Sequence, residues 1–160
     1  MSINIRKALI DDAKAISELI VPLTAKHICP TCDASVHSLL LHSMSVGKIE
    51  HYLSTNHFYV VAVNLNDEVV GVAGVRDYAH LYHLFVDDNH QGKGLSRKLW
   101  EAVKEESLRN GNSGRFTVNS ALNSENVYLR LGFRRTEGVR NREGMMDIPM
   151  VLEAACQQDI

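Results

Sequence analysis

Long apolar runs are missing from this chain of 160 residues. No stretch of 18 or so consecutive apolar residues occurs, which argues against a membrane-spanning helix and a membrane partner. Cysteine is scarce: Cys29, Cys32 and Cys156 are too few and too unevenly placed for a disulfide framework. Charge of one sign is missing too, since 17 Lys and Arg against 19 Asp and Glu leave a formal net charge of −2. That balance argues against a nucleic-acid binder driven by bulk charge. The opening residues show no charged segment followed by an apolar core, so the expected compartment is the cytoplasm. No repeat, low-complexity stretch or linker interrupts the chain, and the expectation is a single domain over residues 1–160 with residues 153–160 as a frayed tail. What is present, 45% hydrophobic and 22% charged residues, is ordinary for a folded protein and excludes disorder as a description of the whole.

Hydrophobic periodicity gives the element order. Residues 3–8 alternate apolar and polar, as a half-buried strand does. Asp11 and Asp12 supply helix-start chemistry, and Ala13, Ile16, Leu19, Ile20 and Leu23 follow at helical spacing, with Pro22 expected to disturb the last turn. A second helical region after Asp33 carries Val36, Leu39, Leu40, Ile49 and Leu53 on its apolar face, with an interruption expected at Gly47. Residues 57–65 and 68–76 read as a hairpin turned at Asn66-Asp67, and Gly71 and Gly74 in it mark bulges or close backbone approach. Residues 80–86 form a third strand of the meander. Leu95, Leu99, Val103 and Leu108 then mark a helix over residues 95–110, stopped by Gly111. A strand at 115–119, a short helix at 124–131 ended by Gly132, a strand at 133–137 and a last strand at 146–152 complete the chain. Pro149 places that last strand near an edge or a bulge. The order is that of an α/β (α+β) fold with a mixed sheet.

The segment that carries chemistry is Leu84-Phe85-Val86-Asp87-Asp88-Asn89-His90-Gln91-Gly92-Lys93-Gly94-Leu95-Ser96-Arg97-Lys98. An apolar strand runs into a glycine-containing loop, which runs into an amphipathic helix. Exposed N–H groups at such a helix start, together with the dipole, form an anion site, and the glycines permit close backbone approach. Lys93, Arg97 and Lys98 add positive charge. The physical reading is a cradle for phosphate or pyrophosphate. Neither G-x-x-x-x-G-K-[ST] nor G-x-G-x-x-G is present, so the two commonest nucleotide loops are excluded.

Gln91-Gly92-Lys93-Gly94-Leu95-Ser96 resembles the Q/R-x-x-G-x-G/A signature of the GNAT superfamily of acetyl-CoA-dependent N-acetyltransferases. Ser96 stands where the pattern has Gly or Ala. Leu84-Phe85-Val86 is similar to the L-x-V that precedes the signature, and Tyr128-Leu129-Arg130-Leu131-Gly132-Phe133 to the Y-x-x-L-G-F that follows it. The run His80-Leu81-Tyr82-His83-Leu84-Phe85-Val86, the Val118-Asn119-Ser120 segment and the Pro149-Met150 ending resemble one bacterial branch of the family. The likeness covers nearly the whole chain and its element order.

That resemblance implies the GNAT acyltransferase fold, a mixed and mostly antiparallel sheet flanked by helices. It implies acetyl-CoA as co-substrate and direct attack by a primary amine, with no metal. The fourth and fifth strands would part to admit pantetheine beside the backbone of Leu84, Phe85 and Val86. The amides of Gln91, Gly92, Lys93, Gly94, Leu95 and Ser96 would hold the pyrophosphate, with Arg97 nearby and Asn119 on the pantetheine arm or the acceptor. Tyr128 matches the position of the general acid that protonates the departing thiolate, against the plainer reading of a packed tyrosine. For the base, His80 and His83 are both candidates, as is a water chain. Strict alternation would send these two side chains to opposite faces unless a bulge lies between them. Asn123 and Asn126 fit the same ligands, or turn and cap chemistry. The acceptor is a small-molecule or peptide amine, and the family-level expectation for assembly is a homodimer. From a different functional class, a non-catalytic acyl-CoA-binding or sensing domain would keep the same cradle.

Cys29-Pro30-Thr31-Cys32, with His27 and His37 around it, has the spacing of half a zinc site or of a redox dithiol. It lacks the second paired half of the first and follows a helix rather than the strand of the second. Two ordinary thiols in a loop is the plainer reading.

Overall fold

Val and Ala fill the segments that become the middle of a sheet, and those strands are buried on both faces. The computed structural model describes residues 2–153. It contains β1 (Asn4–Lys7), β2 (His57–Val63), β3 (Val69–Arg76), β4 (His80–Val86), β5 (Arg115–Ser120), β6 (Arg134–Arg135), β7 (Arg140–Arg142) and β8 (Met145–Glu153). The helices are α1 (Ala13–His27), α2 (His37–His42), α3 (Val46–Leu53), α4 (Leu95–Arg109) and α5 (Glu125–Leu131). The strand order is β1-β2-β3-β4-β5-β8-β6, with β7 paired to β8 off that path. All pairings are antiparallel except β4 with β5, which is parallel. No helix among the described residues is long and apolar enough to cross a membrane.

One face of the sheet is covered by α4 and α5. Leu99, Trp100 and Val103 of α4 are fully buried there against Ala62, Val75, Leu81, Phe116 and Val118. Each such side chain contributes about 1.5–3 kcal/mol by leaving water. The other face is covered by α1 and α3, whose Ala13, Ile16, Ile20 and Ile49 pack on Tyr59, Val61, Val63 and Val72. Successive side chains on β2 and β3 therefore serve two cores, which is why these strands read as continuous apolar runs.

Several expectations need correction. Pro22 lies inside α1, which continues to His27. Pro22 and Glu18, whose carbonyl loses its helical donor, are both exposed, so water replaces the lost bond. Gly47 sits within α3, and the break falls at residues 43–45, where Ser43 closes α2 on Leu40 O and Ser45 caps α3 by accepting from the Lys48 amide. Leu39 and Leu108, assigned to apolar stripes, are exposed, and Trp100 takes the buried place on α4. The strand expected at 133–137 shortens to Arg134–Arg135. β7 was unreadable, because Arg-Asn-Arg has no apolar alternation. Its hold on β8 is ionic: buried Asp147 accepts from both Arg140 and Arg142. Pro149 is on neither an edge strand nor a bulge. β8 is flanked on both sides, and the Pro149 carbonyl accepts from the Thr136 amide just past the end of β6. Glu153, assigned to the tail, ends β8 opposite Arg115. Residues 154–160, with Cys156, lie outside the described residues.

Both glycines of the hairpin mark irregularities, as expected. The β2–β3 register shifts where Ala62 faces Gly71. At Gly74 the Tyr59 ring crosses so closely that a Cβ would stand 2.3 Å from it. Gly74→Ala is therefore expected to lower stability by about 1–3 kcal/mol. Gly47→Ala, which meets nothing within 4 Å, is expected to raise it by up to about 1 kcal/mol. Urea midpoints of the two variants check both signs.

Candidate active site

β4 and β5 are hydrogen-bond neighbours over two residue pairs only, His80 with Thr117 and Leu81 with Val118. Beyond them β4 continues five residues further, to Val86, without β5 beside it. The parity of the β3–β4 ladder sets which backbone groups meet the resulting gap. The Asp87 amide bonds Val70 O, so the pairs Gly71–Val86 and Ala73–Leu84 belong to the non-bonded set. Alternation in an antiparallel ladder turns the N–H and C=O of Leu84 and Val86 away from β3, toward the gap.

The gap opens into a cleft of about 1040 Å³. Its floor ends at the turn before α4. Gly92 and Gly94 have φ of +77° and +79°, a left-handed backbone that glycine takes without strain. Alternating handedness makes a concavity of N–H groups. None of the N–H groups from Gly92 to Ser96 has a protein acceptor among the described residues, and no acidic residue occupies the first turn of α4. The arrangement fits a pyrophosphate, by the donors present and by the dipole behind them. Gln91 anchors the turn by donating from Nε2 to Val86 O at 3.2 Å. Lys26 and His27 at the end of α1 both reach Asp88, and Asn123 Nδ2 donates to His27 O, so three loops around the cleft are clasped together.

The structure brings together His80, His83, Leu84, Phe85, Val86, Gln91, Gly92, Gly94, Leu95, Ser96, Arg97, Asn119 and Tyr128 around this one cleft. Lys93 is exposed and outside its lining. Asn126 is exposed and is not the cap of α5; that position is Ser124.

The two histidines share a face. The register shifts between Gly74–His83 and Val75–Leu81, which leaves Tyr82 as the extra residue of a bulge. Leu81 packs on the α4 side, whereas His80 and His83 both turn to the α1 side. His83 is buried, and its Nδ1 lies 2.8 Å from the Tyr59 hydroxyl. Burial holds the Tyr59 phenol well above its ordinary pKa. The phenol therefore stays protonated, and its pairing with Nδ1 leaves Nε2 as the free ring nitrogen of His83. His80 Nδ1 lies 2.7 Å from Thr117 Oγ1, which leaves Nε2 as its free ring nitrogen. Burial pushes the His83 pKa down to about 3, with the His57 ring adding to the effect. Burial, then the Arg76 charge, pushes His80 to about 4. Both rings are neutral at neutral pH.

Tyr128 is buried in α5, edge-on to Phe133 at 5.9 Å. Gly132, at φ +106°, ends the helix and lets the Phe133 amide bond Tyr128 O. Burial raises the phenol to about 12. The hydroxyl stays protonated, as an acid must before it gives up its proton.

The half-site for zinc does not assemble. No group of three or more His, Cys, Asp or Glu side chains among the described residues has metal-binding geometry. His27 is committed to Asp88, His37 Nε2 meets Cys32 O, and burial raises the Cys29 thiol. Sequence reasoning missed Arg76, Thr117, Arg130, Arg142 and Asp147 near the site. Only Gly74 gave an indirect signal, through the space it leaves for Tyr59.

A family model described as an acetyltransferase (GNAT) domain matches residues 30–154. No curated protein matches the chain in sequence. Among solved structures, a GCN5-related N-acetyltransferase from Rhodopseudomonas palustris superposes with a TM-score of 0.78 at 17% identity, over 96% of both chains. PaiA N-acetyltransferase from Thermoplasma acidophilum, in complex with coenzyme A, gives 0.74 at 17% identity, over 96% of this chain and 99% of that one. A GNAT-family acetyltransferase from Staphylococcus aureus gives 0.71 at 17%, over 94% and 98%. At these identities the likeness to each structure is one of fold. The chain belongs to the GNAT acetyltransferase domain family and is an acyltransferase.

The neutral histidines predict a pH dependence of stability. Unfolded, a histidine binds a proton below about 6.5. Folded, His83 binds one only near 3. The unfolded state therefore holds more protons between these values, and stability rises with pH across that window and falls as pH drops through it. From pH 7 to pH 5 the loss is about 2 kcal/mol for His83 alone. Urea midpoints for His83→Gln, which keeps an acceptor for Tyr59, are expected to fall less steeply over the same range. An equal decline would mean that His83 is not the source.

Proposed function

We propose that the protein transfers an acetyl group from acetyl-CoA to a primary amine, by direct attack within a complex of both substrates. The observation that carries this reading is the conjunction of the parted β4–β5 pair with the acceptor-free amides before α4. The backbone of Leu84 and Val86 binds pantetheine as an added strand. The turn from Gln91 to Ser96 holds the pyrophosphate, and Arg97 and Arg130 border the same part of the cleft. That the Thermoplasma acidophilum structure of the same fold is a complex with coenzyme A supports CoA as the ligand.

The Val86 N–H faces the gap and stabilises negative charge on the thioester oxygen as the amine nitrogen adds to the carbonyl carbon. His80 Nε2 accepts the proton that the nitrogen must lose. This role requires the tautomer in which Nδ1–H donates to Thr117 Oγ1 and the lone pair lies on Nε2. His83 serves as a positioning residue, since it is buried and its Nδ1 is committed to Tyr59. As the carbon–sulfur bond breaks, Tyr128 protonates the departing thiolate. The proton on His80 returns to Tyr128 through cleft water, so the products are an amide and CoA thiol, and the enzyme is unchanged. No cysteine nucleophile is needed, because the thioester already carries the activated acyl group.

The test is CoA release from acetyl-CoA with a panel of primary amines, with mass detection of the acetylated amine. Tyr128→Phe is expected to lower turnover on the order of 10²-fold while acetyl-CoA affinity changes little. Unchanged turnover under chemistry-limited conditions would remove Tyr128 as the acid. Tight acetyl-CoA binding with no acetylated product from any amine would favour the binding-domain reading instead.

A further inference from the structure

The end of the cleft away from the glycine turn is lined by groups that the transfer chemistry does not use. Arg76 ends β3, between His57 on β2 and His80 on β4 in the register of the sheet. Parity places it on the same face as Gly74, Tyr59 and His83, the face that carries His80. It is half-buried and lines the cleft. Its guanidinium lies 5.7 Å from the centroid of the Tyr82 ring. That ring is held in turn: Tyr82 is the bulge residue, and its hydroxyl donates to Tyr52 Oη at 3.2 Å. A guanidinium stacked on an aromatic face keeps its N–H edge available.

No carboxylate among the described residues takes up that edge. The neighbouring Asp77 is exposed, turns away at φ +55° and accepts from Asn56 Nδ2. Among the described residues the one carboxylate lining the cleft is Asp147, and it is already shared by Arg140 and Arg142. Burial would raise its pKa, but the two guanidiniums together hold it below the ordinary value. Among the described residues the cleft lining therefore contains four arginines and one acid, the acid being neutralised in place. Arg97 and Arg130 belong with the glycine turn, and Arg142 with Asp147. Arg76 is the cation left at the acceptor end. A polycationic acceptor would be repelled there, whereas an anion would find a fork of donors on a fixed ring.

We infer that Arg76 binds a carboxylate of the acceptor, so that the substrate is an amino-acid-like primary amine, its anion on Arg76 and its amine beside His80. A carboxylate suits this position because a single guanidinium can bond both of its oxygens side by side. The inference rests on the transferase reading above and names its acceptor class.

The experiment compares matched acceptors with the purified full chain at saturating acetyl-CoA. The pairs are L-lysine against 1,5-diaminopentane and glycine against glycinamide, with phosphoethanolamine and spermidine alongside. Rates are expressed per unprotonated amine. The carboxylated member is expected to have a kcat/KM about 10- to 100-fold higher. Arg76→Gln should erase that preference, and Arg76→Lys should keep part of it, with the acetyl-CoA dissociation constant unchanged in both. Melting temperatures establish that the variants fold, and the wild-type panel decides the question without them. Equal rates within the pairs, a preference for spermidine or phosphoethanolamine, no turnover with any carboxylated amine, or a preference that survives in Arg76→Gln would each overturn the inference. Failure of the transferase reading is seen separately, as absence of acetyl-CoA binding in the wild type or as binding with no acetylated product from any amine of the panel, carboxylated or not.

Discussion

The parting of β4 from β5 is the constraint on which the rest of the site depends. A parallel pair that ran the full length of both strands would satisfy its own backbone and leave nothing to bind. Here the ladder stops after Leu81 and Val118, and the polar backbone of Leu84 and Val86 is turned to the side that β5 has left. Gln91 satisfies the Val86 carbonyl; the other groups need partners, and an extended ligand with amide groups of its own can supply them. The same strand then runs into the turn whose glycines expose further N–H groups. One strand and its loop thus provide both the long contact and the anion site, in the order in which pantetheine and pyrophosphate are joined in CoA.

The bulge at Tyr82 is the second device. It rotates β4 by one residue, which brings His83 to the face of His80 and aims the Tyr82 ring at Arg76. Gly74, opposite, leaves the room in which Tyr59 crosses to reach His83. Burial then keeps both imidazoles neutral, each with an unprotonated ring nitrogen. On the proposed reading Arg76 completes a division of labour: neutral groups lie at the reacting atoms, and cations lie at the two ends of the cleft.

Much of this was legible in the residues. The glycine turn, the long helix after it and the short helix ending at Gly132 follow from local chemistry that no tertiary contact overrides. The cleft collects nearly every residue read as binding. Other features were hidden for physical reasons. A helix passes through Pro22 because the carbonyl it strands is exposed to water. β7 forms from Arg-Asn-Arg because Asp147 of the neighbouring strand binds two of its side chains. The shared face of His80 and His83 depends on a register shift that alternation alone cannot reveal, although Gly74 marks the place. Arg76 has no local signal, because its significance lies in its having no carboxylate paired with it among the described residues, although Asp77 adjoins it in sequence.

The account's central claim is that the turn before α4 and the parted strands together bind the nucleotide and pantetheine of an acyl-CoA. The most direct measurement is a calorimetric titration of folded wild-type protein and of Gly94→Val with CoA. Gly94 sits at φ +79°, a backbone conformation that a β-branched residue resists, so the substitution strains the turn. The account predicts saturable binding by the wild type and a loss of affinity on the order of tenfold in the variant. No heat of binding from well-folded wild type, or equal affinity in the two proteins, would contradict it.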